Sequence, residues 1–144
     1  MHPLPHHYTI TLQYVGGMEG TVATEGQPTL KYSAPKEFDG PGTGWSPEAL
    51  LLNSVATCIA LTFHIVAKMM GVGFSNLQIA ATGVVNAFDG KRMHFEKITL
   101  APSLTLTNPA DESKLGKIWE NTEKHCIISN TLKTHVTIAP AQLQ

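Results

Sequence analysis

Charge is scarce in this chain. Only 15% of its 144 residues are Asp, Glu, Lys or Arg, and ten basic against eleven acidic side chains leave a net charge of −1. That balance excludes the basic footprint of a nucleic-acid binder and a polybasic membrane patch. A small, charge-poor chain of 42% hydrophobic residues is expected to cover some apolar surface with a partner. Arginine is scarcer still: Arg92 is the only one. The two cysteines, Cys58 and Cys126, form no C-x-x-C pair, and the histidine–cysteine neighbours His125-Cys126 are a weak metal signal, so no metal is expected. No Gly-rich phosphate loop and no G-x-S-x-G elbow is present, which leaves nucleotide binding and serine hydrolysis without a motif.

Residues 1–10 lack an apolar run, so no secretory signal is read there and a cytoplasmic protein is expected. His2, His6 and His7 stand beside Pro3 and Pro5, and the leader 1–7 is expected to be weakly ordered and without function. In a reducing cytoplasm, two cysteines are more naturally redox-active thiols than a permanent staple. A length of 144 residues predicts one domain, residues 1–144.

Tyr8, Ile10, Leu12 and Tyr14 alternate with polar residues, which predicts a half-buried strand. Gly16, Gly17 and Gly20 predict a turn, Thr21–Thr24 its return strand, and Thr29–Ser33 a third strand. Residues 34–45, with Pro35, Gly40, Pro41, Gly42 and Gly44, read as loop. Ser46-Pro47-Glu48 then supplies an N-cap, a proline at the first helical position and a first-turn acid. The helix they start is predicted to run to Met70, where Gly71 and Gly73 stop it. Leu50, Leu51, Leu52, Val55, Ile59, Leu61, Phe63, Ile65, Val66 and Met69 cover most of its circumference. Such a helix must be buried on most sides, and a second subunit is the natural cover, so a homodimer is expected. Asn53, Ser54, Thr57, Thr62, His64 and Lys68 interrupt the run, which fits a core helix better than a bilayer span.

Beyond the helix, Leu77, Ile79, Ala81 and Val85 predict a strand, and a turn at Asp89-Gly90 leads to a long strand in which Ile98, Leu100, Leu104 and Leu106 alternate past Pro102. Asn108-Pro109-Ala110-Asp111 opens a second helix that carries Leu115, Ile118 and Trp119 on one face and ends near His125-Cys126. Leu132, Thr134, Val136 and Ile138 close the chain as a strand. The order predicts an α+β fold with a mostly antiparallel sheet and a long buried central helix.

Cys58 falls mid-helix, away from the N-terminal dipole that lowers many thiol pKa values. By itself it reads most simply as a small buried hydrophobe. Cys126 follows the second helix, and spacing does not decide whether the two thiols meet. The run from Gly44 to Cys58, Gly-Trp-Ser-Pro-Glu-Ala-Leu-Leu-Leu-Asn-Ser-Val-Ala-Thr-Cys, resembles a signature of the OsmC/Ohr family, in which a Pro-Glu start leads ten residues later to a cysteine. Cys126-Ile127-Ile128-Ser129-Asn130-Thr131-Leu132 is similar to the family's second signature. The order of elements matches over about residues 8–140.

The resemblance implies an intertwined homodimer and thiol-based reduction of hydroperoxides without metal or cofactor. Cys58 would be the peroxidatic thiolate and Cys126 the resolving thiol, recycled by an external thiol or dithiol. Glu48 would join the polar network of the site. The family's peroxidases also use an arginine from the N-terminal half, which this chain lacks. In the osmotically inducible branch it directly precedes a Phe-acid-Gly run, whereas here Phe38-Asp39-Gly40 follows Glu37 and Lys36. Lys36 is the candidate substitute, though lysine lacks the planar two-pronged donor geometry. The departure leaves open a non-catalytic redox-responsive or small-molecule-binding dimer. A hot-dog acyl-thioesterase would need an acid on the long helix beyond Glu48, and none is suitably placed.

Overall fold

A computed structural model describes residues 3–88, 90 and 92–144. Met1 and His2 of the leader, Asp89 of the expected turn and Lys91 lie outside the described residues. The chain folds as α+β, and its described residues form two mainly antiparallel sheets and three α-helices. It groups into two compact units, one ending at Leu50 and one comprising Leu51–Gln144.

The first unit holds a meander of β1 (Thr11–Gly16), β2 (Glu19–Ala23) and β3 (Leu30–Ser33). β1 begins later than the alternation from Tyr8 suggests. Its expected half-burial is not found within the chain, since Leu12 and Tyr14 are exposed. Gly20 is a strand residue rather than a turn residue. It pairs with Tyr14 and Tyr32, and a Cβ there would run into the Gln13 carbonyl and stand 2.7 Å from the Tyr32 hydroxyl. The loop that follows contains a single 3-10 turn, Lys36–Phe38.

The long helix α1 (Pro47–Met69) starts where capping chemistry predicts, with Ser46 Oγ accepting the Ala49 N–H at 3.1 Å. It stops at Gly71, whose φ of +68° is the left-handed conformation of a helix terminator. In the second unit α1 buries Val55, Ile59, Phe63, Val66 and Ala67, a stripe at helical spacing. Val55 and Ile59 pack with Ile98, Leu100, Val136 and Cys126, while Phe63, Val66 and Ala67 pack with Leu104, Leu115 and Ile118. Trp119 touches both groups and stacks on Phe63 at a centroid distance of 4.1 Å. The opposite stripe is not covered within the chain: Leu61, Ile65 and Met69 are 68%, 56% and 82% exposed. By length and composition α1 would suffice to cross a bilayer. Its inner stripe is instead packed as the core of the second unit.

The sheet of this unit is organised by β4 (Phe74–Phe88) and β5 (Arg92–Leu106), which pair antiparallel from Phe74–Leu106 to Phe88–Arg92. The predicted second helix divides. Asn108 accepts from the Ala110 N–H and opens a 3-10 segment over Pro109–Lys114, and α2 (Leu115–His125) follows. A short helix not foreseen, α3 (Ile127–Thr131), comes next. β6 (Val136–Ile138) is shorter than the alternation from Leu132 suggests, and it runs parallel to β5, as does the terminal β7 (Gln142–Leu143).

Candidate active site

Cys58 occupies the fourth turn of α1 between two fully buried positions, Val55 and Ile59, and is itself only half-buried. The hydroxyls around it are engaged with the helix backbone. Ser54 Oγ donates to Leu51 O at 2.8 Å, Thr57 Oγ1 to Asn53 O at 2.7 Å, and Thr62 Oγ1 to Cys58 O at 2.8 Å. Such back-bonding satisfies these side chains without recruiting the thiol.

Cys126 is placed by the junction of two helices. It ends α2 with its N–H donating to Glu123 O, and it caps α3, where Asn130 N–H donates to its carbonyl. The backbone there is extended, with φ −73° and ψ 111°, as an N-cap requires. The side chain performs the capping: Cys126 Sγ accepts from Ser129 N–H at 3.5 Å and from Ser129 Oγ–H at 3.2 Å. Cys126 is 0% exposed.

The fold therefore brings the cysteines together across 68 positions of sequence. Cys58 packs against the apolar group that contains Cys126, and both are free thiols. Burial raises the Cys126 thiol above its ordinary range; the two hydrogen bonds from Ser129 oppose that, and the neighbouring Cys58 thiol adds to it. Chemically this is a reduced dithiol in which one cysteine is half-buried and the other fully buried.

The other expected site residues stand apart from this pair in sequence. Glu48 lies in the first turn of α1, with Oε2 buried and without a hydrogen-bond partner among the described residues. α1 is one continuous helical segment from Pro47 to Met69, and ten residues of regular helix correspond to roughly 15 Å of rise and 80° of rotation. Lys36 is exposed in the 3-10 turn, with its aliphatic chain laid along Gly42 and no ion-pair partner among the described residues. It lines an open groove of about 750 Å³ with Lys31, Thr43 and Trp45. Among the described residues no three His, Cys, Asp or Glu side chains are grouped to hold a metal ion.

Sequence pattern and family resemblance assign Ser129 no task. A local signal was available. A Cys-x-x-Ser run just after a helix end is the spacing of an N-cap and its N3 residue, with sulfur in the acceptor role.

A family model for OsmC-like proteins matches residues 40–140, a span that includes Glu48, Cys58 and Cys126. The chain belongs to the OsmC-like family. Among its relatives is the uncharacterized protein YmaD of Bacillus subtilis, 30% identical over 138 residues, which cover 92% of this chain and 91% of that protein. Among solved structures, an OsmC-like protein of unknown function from Vibrio cholerae superposes with a TM-score of 0.84 at 15% identity, over 97% of this chain and 100% of the other. An organic hydroperoxide resistance protein, OsmC, from Legionella pneumophila superposes with a TM-score of 0.71 at 20% identity, over 97% and 99%. OsmC/Ohr proteins are generally soluble, in keeping with α1 as a core helix.

Proposed function

We propose that this OsmC-like protein is a cysteine-based hydroperoxide reductase, with Cys58 peroxidatic and Cys126 resolving. The observation that carries the reading is the pairing of two neighbouring free thiols of opposite accessibility. A peroxide must reach the first sulfur, whereas the second needs only to reach the first. The name of the Legionella structure supports an organic hydroperoxide as substrate class.

The cycle follows from thiol chemistry. Cys58 thiolate attacks one peroxide oxygen and breaks the O–O bond; the other oxygen leaves with a proton as alcohol or water, and Cys58 becomes a sulfenic acid. Cys126 attacks the sulfenic sulfur, its proton leaves with the hydroxyl as water, and a Cys58–Cys126 disulfide forms. An external thiol or dithiol returns both sulfurs to the reduced state, so no metal or prosthetic group enters the cycle. We further propose a cytoplasmic homodimer in which the exposed stripe Leu61, Ile65 and Met69 is covered by a second copy. Glu48 Oε2, buried and without a hydrogen-bond partner among the described residues, then meets a donor contributed across the subunits.

The test is to mix reduced protein with an organic hydroperoxide and count free thiols. Fast loss of both thiols supports the reading. Inertness favours the alternative, a non-catalytic redox-responsive or ligand-binding dimer, for which the missing N-terminal arginine and the exposed position of Lys36 speak.

A further inference from the structure

We propose that Ser129 is a positioning residue of the cysteine pair: its hydroxyl holds Cys126 Sγ as both the attacking sulfur and the leaving sulfur, which directs external reductant to Cys58. This rests on the dithiol reading above and adds the direction of the recycling step. The geometry is specific. Ser129 is the residue that the structure gives as donor to Cys126 Sγ, twice, through Oγ–H at 3.2 Å and N–H at 3.5 Å. The hydroxyls beside Cys58 donate to backbone carbonyls instead.

Hydrogen bonds to an ionised acceptor are stronger than those to a neutral one, so both donors favour the state in which Cys126 carries negative charge. That state arises twice. It arises when Cys126 loses its proton to attack the Cys58 sulfenic acid, and again when the disulfide opens. A thiolate from outside can reach Cys58, which is half-buried, but not Cys126, which is fully buried. Its attack forms a new disulfide to Cys58 Sγ, breaks the Cys58–Cys126 bond, and leaves the electron pair on Cys126 Sγ facing the Ser129 donors. A leaving thiolate so stabilised departs faster. Ser129 also lines a surface cavity of about 400 Å³ with Lys124, Lys133 and His135. The residue that holds the buried sulfur therefore borders the protein's exterior.

The experiment forms the disulfide with diamide, a thiol oxidant, so that it does not depend on peroxide chemistry. Reduction by mercaptoethanol is then followed in the unaltered protein and in Ser129→Ala and Ser129→Thr. The ultraviolet thiolate absorbance of Cys126 is titrated in a Cys58→Ser background with each residue at 129. In Ser129→Ala the backbone N–H remains, so the expected effect is partial. Reduction slows about three- to tenfold and the absorbance midpoint rises by about half to one pH unit, while Ser129→Thr restores both. Acid-quenched reduction of the unaltered protein gives the mercaptoethanol adduct on Cys58. An adduct on Cys126, a Ser129→Ala protein unchanged in both rate and midpoint, or failure of diamide to form the disulfide overturns the proposal. A protein that passes these tests yet ignores hydroperoxides overturns the peroxidase reading alone.

Discussion

Ile65 offers the sharpest handle on the proposed dimer, because it sits mid-stripe on the uncovered side of α1. Fully burying a Leu, Ile or Met side chain is worth about 1.5–3 kcal/mol. Scaled by exposures of 68%, 56% and 82% for Leu61, Ile65 and Met69, covering the stripe yields roughly 3–6 kcal/mol per protomer and 6–12 per dimer. Association itself costs about 4–15 kcal/mol, so the stripe lies close to balance and each of its residues matters. In a two-fold dimer every substitution acts twice. Ile65→Ser therefore removes about 1.7–3.4 kcal/mol and weakens the dimer about 20- to 300-fold. Within one chain the same change removes an already exposed side chain, and serine and isoleucine have similar helix propensity, so the fold should stand. Light scattering and sedimentation across micromolar to nanomolar concentration, with circular dichroism as control, give the readout. The expected result is a dimer that dissociates at higher concentration in Ile65→Ser while helix content is unchanged. A folded monomer at micromolar concentration in the unaltered protein, or equal dissociation constants for both proteins, would refute the reasoning.

Lys36→Ala is expected to slow oxidation of Cys58 by organic hydroperoxide and Lys36→Arg to hold or raise the rate, measured by stopped-flow thiol loss; an unchanged rate in Lys36→Ala dismisses lysine as the arginine substitute. The Cys126 pKa is raised by burial, opposed by Ser129 and raised further by Cys58, so the folded protein binds that proton more tightly than the unfolded chain. Its contribution to stability is therefore complete below about pH 8.5, the ordinary thiol value, and is lost as pH rises through the higher folded value. Urea midpoints should fall at alkaline pH, and less so in Cys126→Ala; parallel profiles for the two proteins would contradict this.

What could be read from sequence was what is decided locally. Ser46-Pro47-Glu48 and Gly71 delimit α1 because capping acts within one turn, and the period-2 run from Ile98 to Leu106 was enough to place β5. The α3 segment escaped because Ile127, Ile128 and Thr131 favour strands, and because what starts the helix is a cysteine acting as cap. β6 pairs parallel to β5 only after the chain has crossed through α2 and α3, a tertiary outcome that alternation does not encode. β1 alternates as a half-buried strand should, yet its apolar side chains are exposed within the chain. Local pattern reports that a face wants cover and is silent on who supplies it. The cysteine pair was named through family resemblance, whereas its juxtaposition depends on α1 and the α2–α3 junction sharing one apolar group. The role of Glu48 comes from resemblance alone, and what the fold adds is a buried Oε2 in the first turn of α1 without a hydrogen-bond partner among the described residues.

The division of labour between the two sulfurs is tested by adding one equivalent of organic hydroperoxide to the reduced single-cysteine variants and reading sulfur oxidation states by mass spectrometry. Cys126→Ser should consume one equivalent and accumulate a sulfenic or over-oxidised Cys58, while Cys58→Ser should consume none and keep Cys126 as a thiol. Equal consumption by the two variants, or oxidation of Cys126 while Cys58 is absent, would contradict the account.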